Sequence, residues 1–511
     1  MKNLFLTGLI GLGVFSSCSN EGDPTKDVTL NEGEACAQIM ISIASSGNVG
    51  TRTTTEGSNG NEIDATPSEN NIQSITVVLA DENNIAQQVI TPKLKTESTE
   101  NKAIRATEPF TVDEGSYKVY VLANYEQNKD KLSPVIVGST DMQQAFTISN
   151  SLSADNAFFM TNADEVTTTK FTQEASGKEV DDDGAQVSEN PATLHLVKAN
   201  IERVVSKVTF DNKDSQSFDV KDGSTTIATA TLDGVSLINL NKKMYLTKKK
   251  KEDLSATNSW SGYFYVEDPN YTSTTDYENN FSQTVASVFS NPNSAALYCP
   301  ENTMNAEAQL HGQTTGVVYK VTYTPDATNG FSTLKNNGTD IYSKKFTDVL
   351  KLESKNDAIT EDMFTANLEE GTAEGSFYEY KGFVFKNKNA AYLYCAIDKN
   401  LSGSENASTI NSAFEGYLTS APEDVHLYKD GICYYTAWIK HNPNGANMEE
   451  GKYGTVRNHW YEMKVTGINA LGHYEPTYEN PEDPDDPKKA TIQVEATVKK
   501  WVLVKQDVTL E

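Results

Sequence analysis

Near the end of the chain Ile492, Val494, Ala496 and Val498 recur at every second position, and Trp501, Val502, Leu503 and Val504 extend the apolar run. A period of two puts these side chains on one face of an extended backbone, the pattern of a half-buried β-strand. The same alternation returns throughout. Ala37, Ile39, Ile41 and Ile43 form one such set, and Ile72–Ala80, Tyr117–Asn124, Ile227–Asn239, Gly316–Tyr323, Ala391–Ile397, Gly431–Ile439 and Tyr461–Ile468 read as further strands. Phe158 to Met160 adds a short apolar element. Leu-rich helical periodicity is scarce, whereas Thr, Ser, Asn, Tyr and Gly are plentiful, so the expectation is an all-β chain. Its length of 511 residues suits two or three sandwich-like domains.

Charge narrows the partners. There are 43 Lys and Arg against 71 Asp and Glu, a net charge of −28, which excludes nucleic acid as a partner. At the N-terminus, Lys2 precedes the apolar run Leu4 to Phe15, too short to span a bilayer, and Ser16, Ser17 and Cys18 follow. This is the order of a signal peptide over residues 1–17 with Cys18 as the lipid-bearing first residue, although Phe15 stands where a Leu is usual. A lipid on Cys18 holds an otherwise soluble protein at a membrane. With Cys18 so used, Cys36, Cys299, Cys395 and Cys433 allow at most two disulfides, so stability has to come from apolar cores.

The strand Ala37 to Ile43 runs into Ser45 to Asn61, a stretch of Ser, Gly, Thr and Asn that contains Arg52. The whole chain has four arginines: Arg52, Arg105, Arg203 and Arg457. Small polar loops are where proteases cut, so a trypsin-like enzyme is expected to cleave after Arg52, leaving Thr53 first and detaching that strand. At the other end, Pro481, Pro484 and Pro487 punctuate the acidic run Glu482, Asp483, Asp485 and Asp486. That composition predicts an extended, solvated tether ahead of the terminal strand. A β-branched strand on such an arm either completes its own sheet or pairs with a neighbour's open edge.

Nothing in the sequence has the spacing of catalytic chemistry. Nucleophile elbow, phosphate-cradling Gly loop and paired metal-ligating histidines are all missing, so neither a catalytic residue, a cofactor nor a metal is assigned. His441, His459 and His473 are too widely spaced to define a metal site. Glu179 to Gly184 is acidic but lacks the spaced carboxylates of a calcium loop and reads as a solvated turn, and Lys248 to Lys251 likewise.

Several segments together resemble the fimbrillins of type V pili, closest to the stalk subunits of minor fimbriae of anaerobic Gram-negative bacteria. They are NIERVVSKVTF (Asn200–Phe210), YCPENTM (Tyr298–Met304), YYTAWIKH (Tyr434–His441) and YGTVRNHWYEMKVTGINALG (Tyr453–Gly472), with GSYKVYVLAN and FFMTN earlier. The resemblance implies two β-sandwich domains of transthyretin-like architecture and a C-terminal donor strand. It implies export as a palmitate-bearing lipoprotein of the outer membrane, removal of the first strand by an Arg-specific protease, and donor-strand exchange into a homopolymer with accessory tip and anchor pilins. Such a fimbrium serves adhesion, co-aggregation and biofilm formation. Carried onto this sequence, Cys18 is the acylation site, Arg52 and Thr53 flank the cut, and Ile492, Val494, Ala496, Val498, Trp501 and Leu503 belong to the donor. VRNHWY is assigned to architecture. The expected layout is a signal peptide (1–17), a propeptide (18–52), an N-terminal domain (53–198), a C-terminal domain (199–480) and a tether with donor strand (481–511). Two other readings remain, a lipid-anchored glycan-binding protein using its many aromatic rings and a tip or anchor adhesin of the same pilus. Glycan binding requires neither a detachable first strand nor a tethered last one.

Overall fold

The computed structural model describes residues 30–44, 62–96, 104–250, 265–332, 374–400, 407–486 and 491–502, apart from residues 155, 190, 284, 286–287, 387 and 478–479, together with the short pairs 335–336 and 339–340. Strands dominate the regular structure of these residues, helices are few, and the fold is all-β.

Two cores organise it. The first is enclosed by a ten-stranded sheet whose main path brings together Ala86–Ile90, Ile75–Ala80, Gly115–Ala123, Met160–Asn162, Thr193–Arg203, Glu34–Ile43 and Ile104–Ala106. We call Glu34–Ile43 β1. The sequence makes this core by alternation and by runs apolar on both faces: every residue of Ile75–Ala80 is buried, as expected for a central strand covered on both sides. The second core is a sandwich. Its five-stranded sheet runs Glu62–Asp64 (β2), Ile492–Val502, His459–Ile468, Val205–Phe210 and Ala296–Pro300. It faces a four-stranded sheet of Ser217–Asp222, Thr225–Ile238, Gly316–Pro325 and Ile432–Trp438. Val208, Tyr461, Met463, Ile492 and Val498 from the first meet Leu232, Val317, Tyr319, Val321, Cys433 and Tyr435 from the second.

Four features differ from the sequence reading. Ala391 to Ile397 is helical, inside Lys388–Lys399, which packs with Ala407–Thr419 and a three-stranded sheet around an aromatic cluster of Tyr380, Phe385, Tyr394 and Phe414. The segment is apolar without a break, so its periodicity did not distinguish the two states. The division expected near Lys198 falls within the unbroken strand Thr193–Arg203, and the bend comes at Val204. Glu179 to Gly184 is more than a solvated turn: Glu179 pairs with Lys95, and buried Asp182 pairs with buried Arg105. Finally, the Pro and Asp run is docked and does not stand off as a solvated tether. His311 N–H donates to Asp483 O, Gly312 N–H to Pro481 O and Asp485 N–H to Gln309 O. Lys452 pairs with Asp486 at 2.8 Å while Tyr453 donates its hydroxyl to the same carboxylate. Composition described the segment's own preference, and these partners outweigh it.

Candidate functional site

The two segments singled out from the sequence occupy different sheets. β1 is an inner strand. Ala37 to Ile43 run parallel to His195–Ile201 on one side, while Met40 to Ser42 and Glu34 to Ala37 pair antiparallel with Ala106–Ile104 and Asp113–Phe110 on the other. Ala35, Ala37, Ile39, Ile41 and Ile43 all point into the first core and are buried. The opposite face is held by Gln38, whose amide donates to Thr107 O and Val180 O and accepts from Val180 N–H. Ser42 donates to Asn200, which in turn donates to Asp164, so β1 forms one wall of a cleft of about 330 Å³ between these groups. Burying the three isoleucines contributes about 5–9 kcal/mol. Removing β1 would strip both flanking strands of backbone partners, leaving an apolar slot five alternate side chains long.

The terminal strand Ile492–Val502 lies antiparallel to His459–Ile468, with Ile492 opposite Ile468, Val494 opposite Val465, Ala496 opposite Met463 and Val498 opposite Tyr461. Ile492 and Val498 are buried in the second core, and Val494 and Ala496 pack against it half-exposed. In the single chain, then, these four residues complete the molecule's own sheet. Among the described residues, the strand's outer edge is paired at its end, where β2 runs parallel to it and Ile63 sits opposite Trp501. Three residues beyond Val498, Trp501 enters the first core and is fully enclosed.

What surrounds Trp501 is a buried polar cluster that joins both cores. Its centre is Glu69, in the single helical turn Pro67–Asn70 that follows β2, where Thr66 and Glu69 form a capping box. The Glu69 carboxylate accepts from Thr66 N–H, Tyr298 Oη at 2.6 Å, Lys207 Nζ at 2.7 Å and Trp501 Nε1 at 3.2 Å. Burial raises its pKa, but hydrogen bonds from Lys207 and Tyr298 and the Lys207 charge outweigh burial and leave it below the ordinary carboxylate value. The Arg203 guanidinium lies 4.4 Å over the Trp501 ring and donates to Glu69 O, Asn70 and Asn458. Burial pushes Arg203 down to about 10, so it stays charged at neutral pH. Lys207 also sits 3.7 Å over the ring of Trp460.

The VRNHWY string supplies the remaining parts. Arg457 makes a buried pair with Glu301, at 3.0 Å, and donates to Tyr245 O and Leu246 O. Asn458 adopts a positive φ of 58°, a region Asn tolerates better than most residues. His459 is buried with its pKa pushed down to about 4 by loss of solvent. Its ring is 5.3 Å from that of His441, whereas His473 lies apart, its ring tilted against that of Tyr474. Lys248 pairs with Glu202. Cys36, Cys299, Cys395 and Cys433 are all buried, and no disulfide links them to one another. Cys18, Arg52, Thr53 and Leu503 lie outside the described residues.

Glu69, Arg203, Lys207, Asn458 and β2 were not singled out in the sequence. The capping box Thr66-Pro67-Ser68-Glu69 is a legible helix start, but a three-residue strand and the meeting of distant side chains leave no local signal.

Residues 426–507, which contain the strands Ile432–Trp438, His459–Ile468 and the whole terminal strand Ile492–Val502, match the family model for the C-terminal region of fimbrillin, the major fimbrial subunit protein type IV. The chain carries a fimbrillin C-terminal region. Solved structures similar to this chain include a putative cell adhesion protein from Parabacteroides distasonis, at 13% identity and TM-score 0.42, covering 92% of this chain and 98% of that one. A fimbrilin from Porphyromonas gingivalis follows at 13% and 0.38, covering 92% and 99%. A C-terminally truncated tip fimbrial protein from the same organism stands at 10% and 0.33, covering 92% and 100%. No curated protein sequence matches the chain.

Proposed function

We propose that this protein is the structural, non-enzymatic stalk subunit of a surface fimbrium. In this reading it is exported as a lipoprotein through Cys18, cut between Arg52 and Thr53 by an Arg-specific protease, and polymerised when a neighbour's C-terminal segment takes the place of β1. The observation that carries the reading is the position of β1, an inner strand with five buried apolar side chains, connected onward through the stretch that contains Arg52. Its loss leaves a slot that only another strand can satisfy. The other three arginines, Arg105, Arg203 and Arg457, are each buried and paired within the body, which favours Arg52 as the cut. A donor-to-slot contact is head-to-tail and does not close on itself, so repetition yields a filament, with tip and anchor pilins at its ends.

The donor expected from the sequence began at Ile492. Because Ile492 to Val498 already complete their own sheet, donation by them requires peeling that strand away. The residues after Val502 carry the same period, with Val504, Val508 and Leu510 at even positions, and donation by them leaves the sandwich whole. The test is the N-terminal residue of protein sheared from cells. Thr53 is expected, and filaments that retain Ala37 to Ile43 would overturn the reading. Labelling with a palmitate analogue, lost in Cys18→Ala, tests the anchor separately.

A further inference from the structure

The end of β1 touches the cluster that holds the terminal strand. Just past β1, the Ala44 carbonyl accepts a 3.0 Å hydrogen bond from Asn458 Nδ2. The other end of the same amide, Asn458 Oδ1, accepts from Arg203 Nη1 at 2.9 Å. Arg203 is the last residue of Thr193–Arg203, the strand to which β1 pairs, and it covers the Trp501 ring. Four groups thus stand in series: the exit of β1, the Asn458 amide, the Arg203 guanidinium and the Trp501 indole. Asn458 is buried and holds a left-handed backbone whose N–H donates to Val205 O, so its side chain is fixed between its two partners.

We infer that Asn458 and Arg203 couple the presence of β1 to the seating of Trp501, so that the terminal strand is held firmly while β1 is in place and loosens when β1 leaves. With Ala44 gone, the Asn458 amide loses its acceptor, in a site where an unpaired buried donor is disfavoured. Rotation of that amide to find another partner withdraws Oδ1 from Arg203. Arg203 simultaneously loses the parallel partner of its own strand, since Ile43 is paired to Ile201 and Ala44 N–H donates to Ile201 O. Glu69 and Asn70 alone then orient the guanidinium over Trp501. The device orders assembly: an unprocessed chain keeps its terminal segment seated, and a processed one presents it. This consequence rests on the proposed exchange function, whereas the coupling does not.

The experiment places a site for an unrelated sequence-specific protease in residues 45–61 of the full chain, cleaves there, and removes β1 by washing in mild denaturant, so the outcome is independent of whether Arg52 is the natural cut. Amide hydrogen exchange is read over Lys499 to Val502, with Val205–Phe210 as an internal reference. Loss of β1 is expected to speed exchange at the terminal strand about tenfold, the effect of one or two buried hydrogen bonds, while the reference changes little. Asn458→Gly keeps the left-handed backbone and removes the amide, so exchange should already be fast with β1 present. Asn458→Asp keeps the acceptor for Arg203 but loses the donor to Ala44, so exchange should stay slow with β1 present or absent. An unchanged terminal strand on β1 removal, a wild-type response in Asn458→Asp, or slow exchange in Asn458→Gly would each overturn the coupling. Failure of an Arg-specific protease to cut the natural chain would count against the processing reading and leave this test standing.

Discussion

Two truncations distinguish the terminal strand from the nine residues beyond Val502. Deleting residues 490–511 removes Ile492 and Val498 from the second core, half-exposed Val494 and Ala496 from its rim, and the fully enclosed Trp501 from the first. A buried aliphatic side chain contributes about 1.5–3 kcal/mol and removal of a buried Trp costs about 3–5 kcal/mol. Together the loss is about 7–13 kcal/mol, before counting the backbone pairing to His459–Ile468. Net domain stabilities are about 5–15 kcal/mol, so a loss of this size, shared between the two cores, should lower the melting temperature sharply. Deleting only residues 503–511 touches none of these groups and should leave the melting temperature unchanged while abolishing filament formation. Differential scanning calorimetry of both proteins, with electron microscopy of the processed forms, reads the two effects. A 490–511 deletion that melts like the full chain would refute the assignment of Ile492–Val502 to the body.

Glu69→Gln breaks a buried ion pair and should cost about 3–5 kcal/mol by leaving the Lys207 ammonium uncompensated, with Glu69→Gln combined with Lys207→Met recovering part of that; urea midpoints of the three variants decide it. His459, buried and neutral, has its pKa lowered to about 4 against an ordinary value near 6.5, so the unfolded chain takes up the proton first as pH falls. Its contribution is complete above pH 6.5 and is lost between 6.5 and 4, about 3 kcal/mol in all, and a urea midpoint that falls across this window in the native protein but less in His459→Gln is the expected result. Arg52→Ala should accumulate as an intact precursor without filaments, seen as a single larger band on immunoblots of cell envelopes. Val494→Asp should lower the melting temperature of the monomer, whereas Val504→Asp or Leu510→Asp should leave it unchanged and reduce polymer yield in a sedimentation assay, because a charge without a partner is disfavoured in an apolar slot.

Where one face of a strand is apolar and the other polar, the sequence was readable. Gly316–Pro325, Ile432–Trp438, His459–Ile468 and the terminal strand all follow the period of two. The period does not tell which sheet a strand joins. Ile492 to Val498 carry the same pattern whether they pack on Tyr461 and Met463 of their own chain or fill another's slot, and only the register opposite His459–Ile468 separates the two in the single chain. Ala391 to Ile397 failed for a different reason: the helix is buried on nearly every side, so it has no polar face to set a period. The docked linker shows the limit of composition. Asp485 is buried and Asp486 pairs with Lys452 more than thirty residues away, and no property of the Pro and Asp run itself announces that partner. At the junction, Glu69, Arg203, Lys207, Asn458 and Trp501 come from five separate segments, and their meeting is a property of the topology.

That topology bears on how an exchanged strand can be stable when it replaces one of similar composition. Apolar burial in the slot is nearly the same for β1 and for a donor, so burial cannot drive the replacement by itself; each isoleucine that leaves must be matched by a valine or leucine that enters. Two differences set the direction. A cut in residues 45–61 makes β1 a separate short peptide, whose return is bimolecular and is diluted away, while a donor remains attached to a folded subunit. The second difference is the donor's own alternative. If Ile492–Val502 were the donor, peeling it would sacrifice about as much burial as the slot returns, and exchange would gain nothing. With Ile492 to Val498 retained in their own sheet, donation by the residues beyond Val502 sacrifices none of that burial, and a loosened seat for Trp501 after β1 leaves would favour it. On the proposed exchange, the polymer would gain one strand's worth of burial per junction relative to the processed monomer.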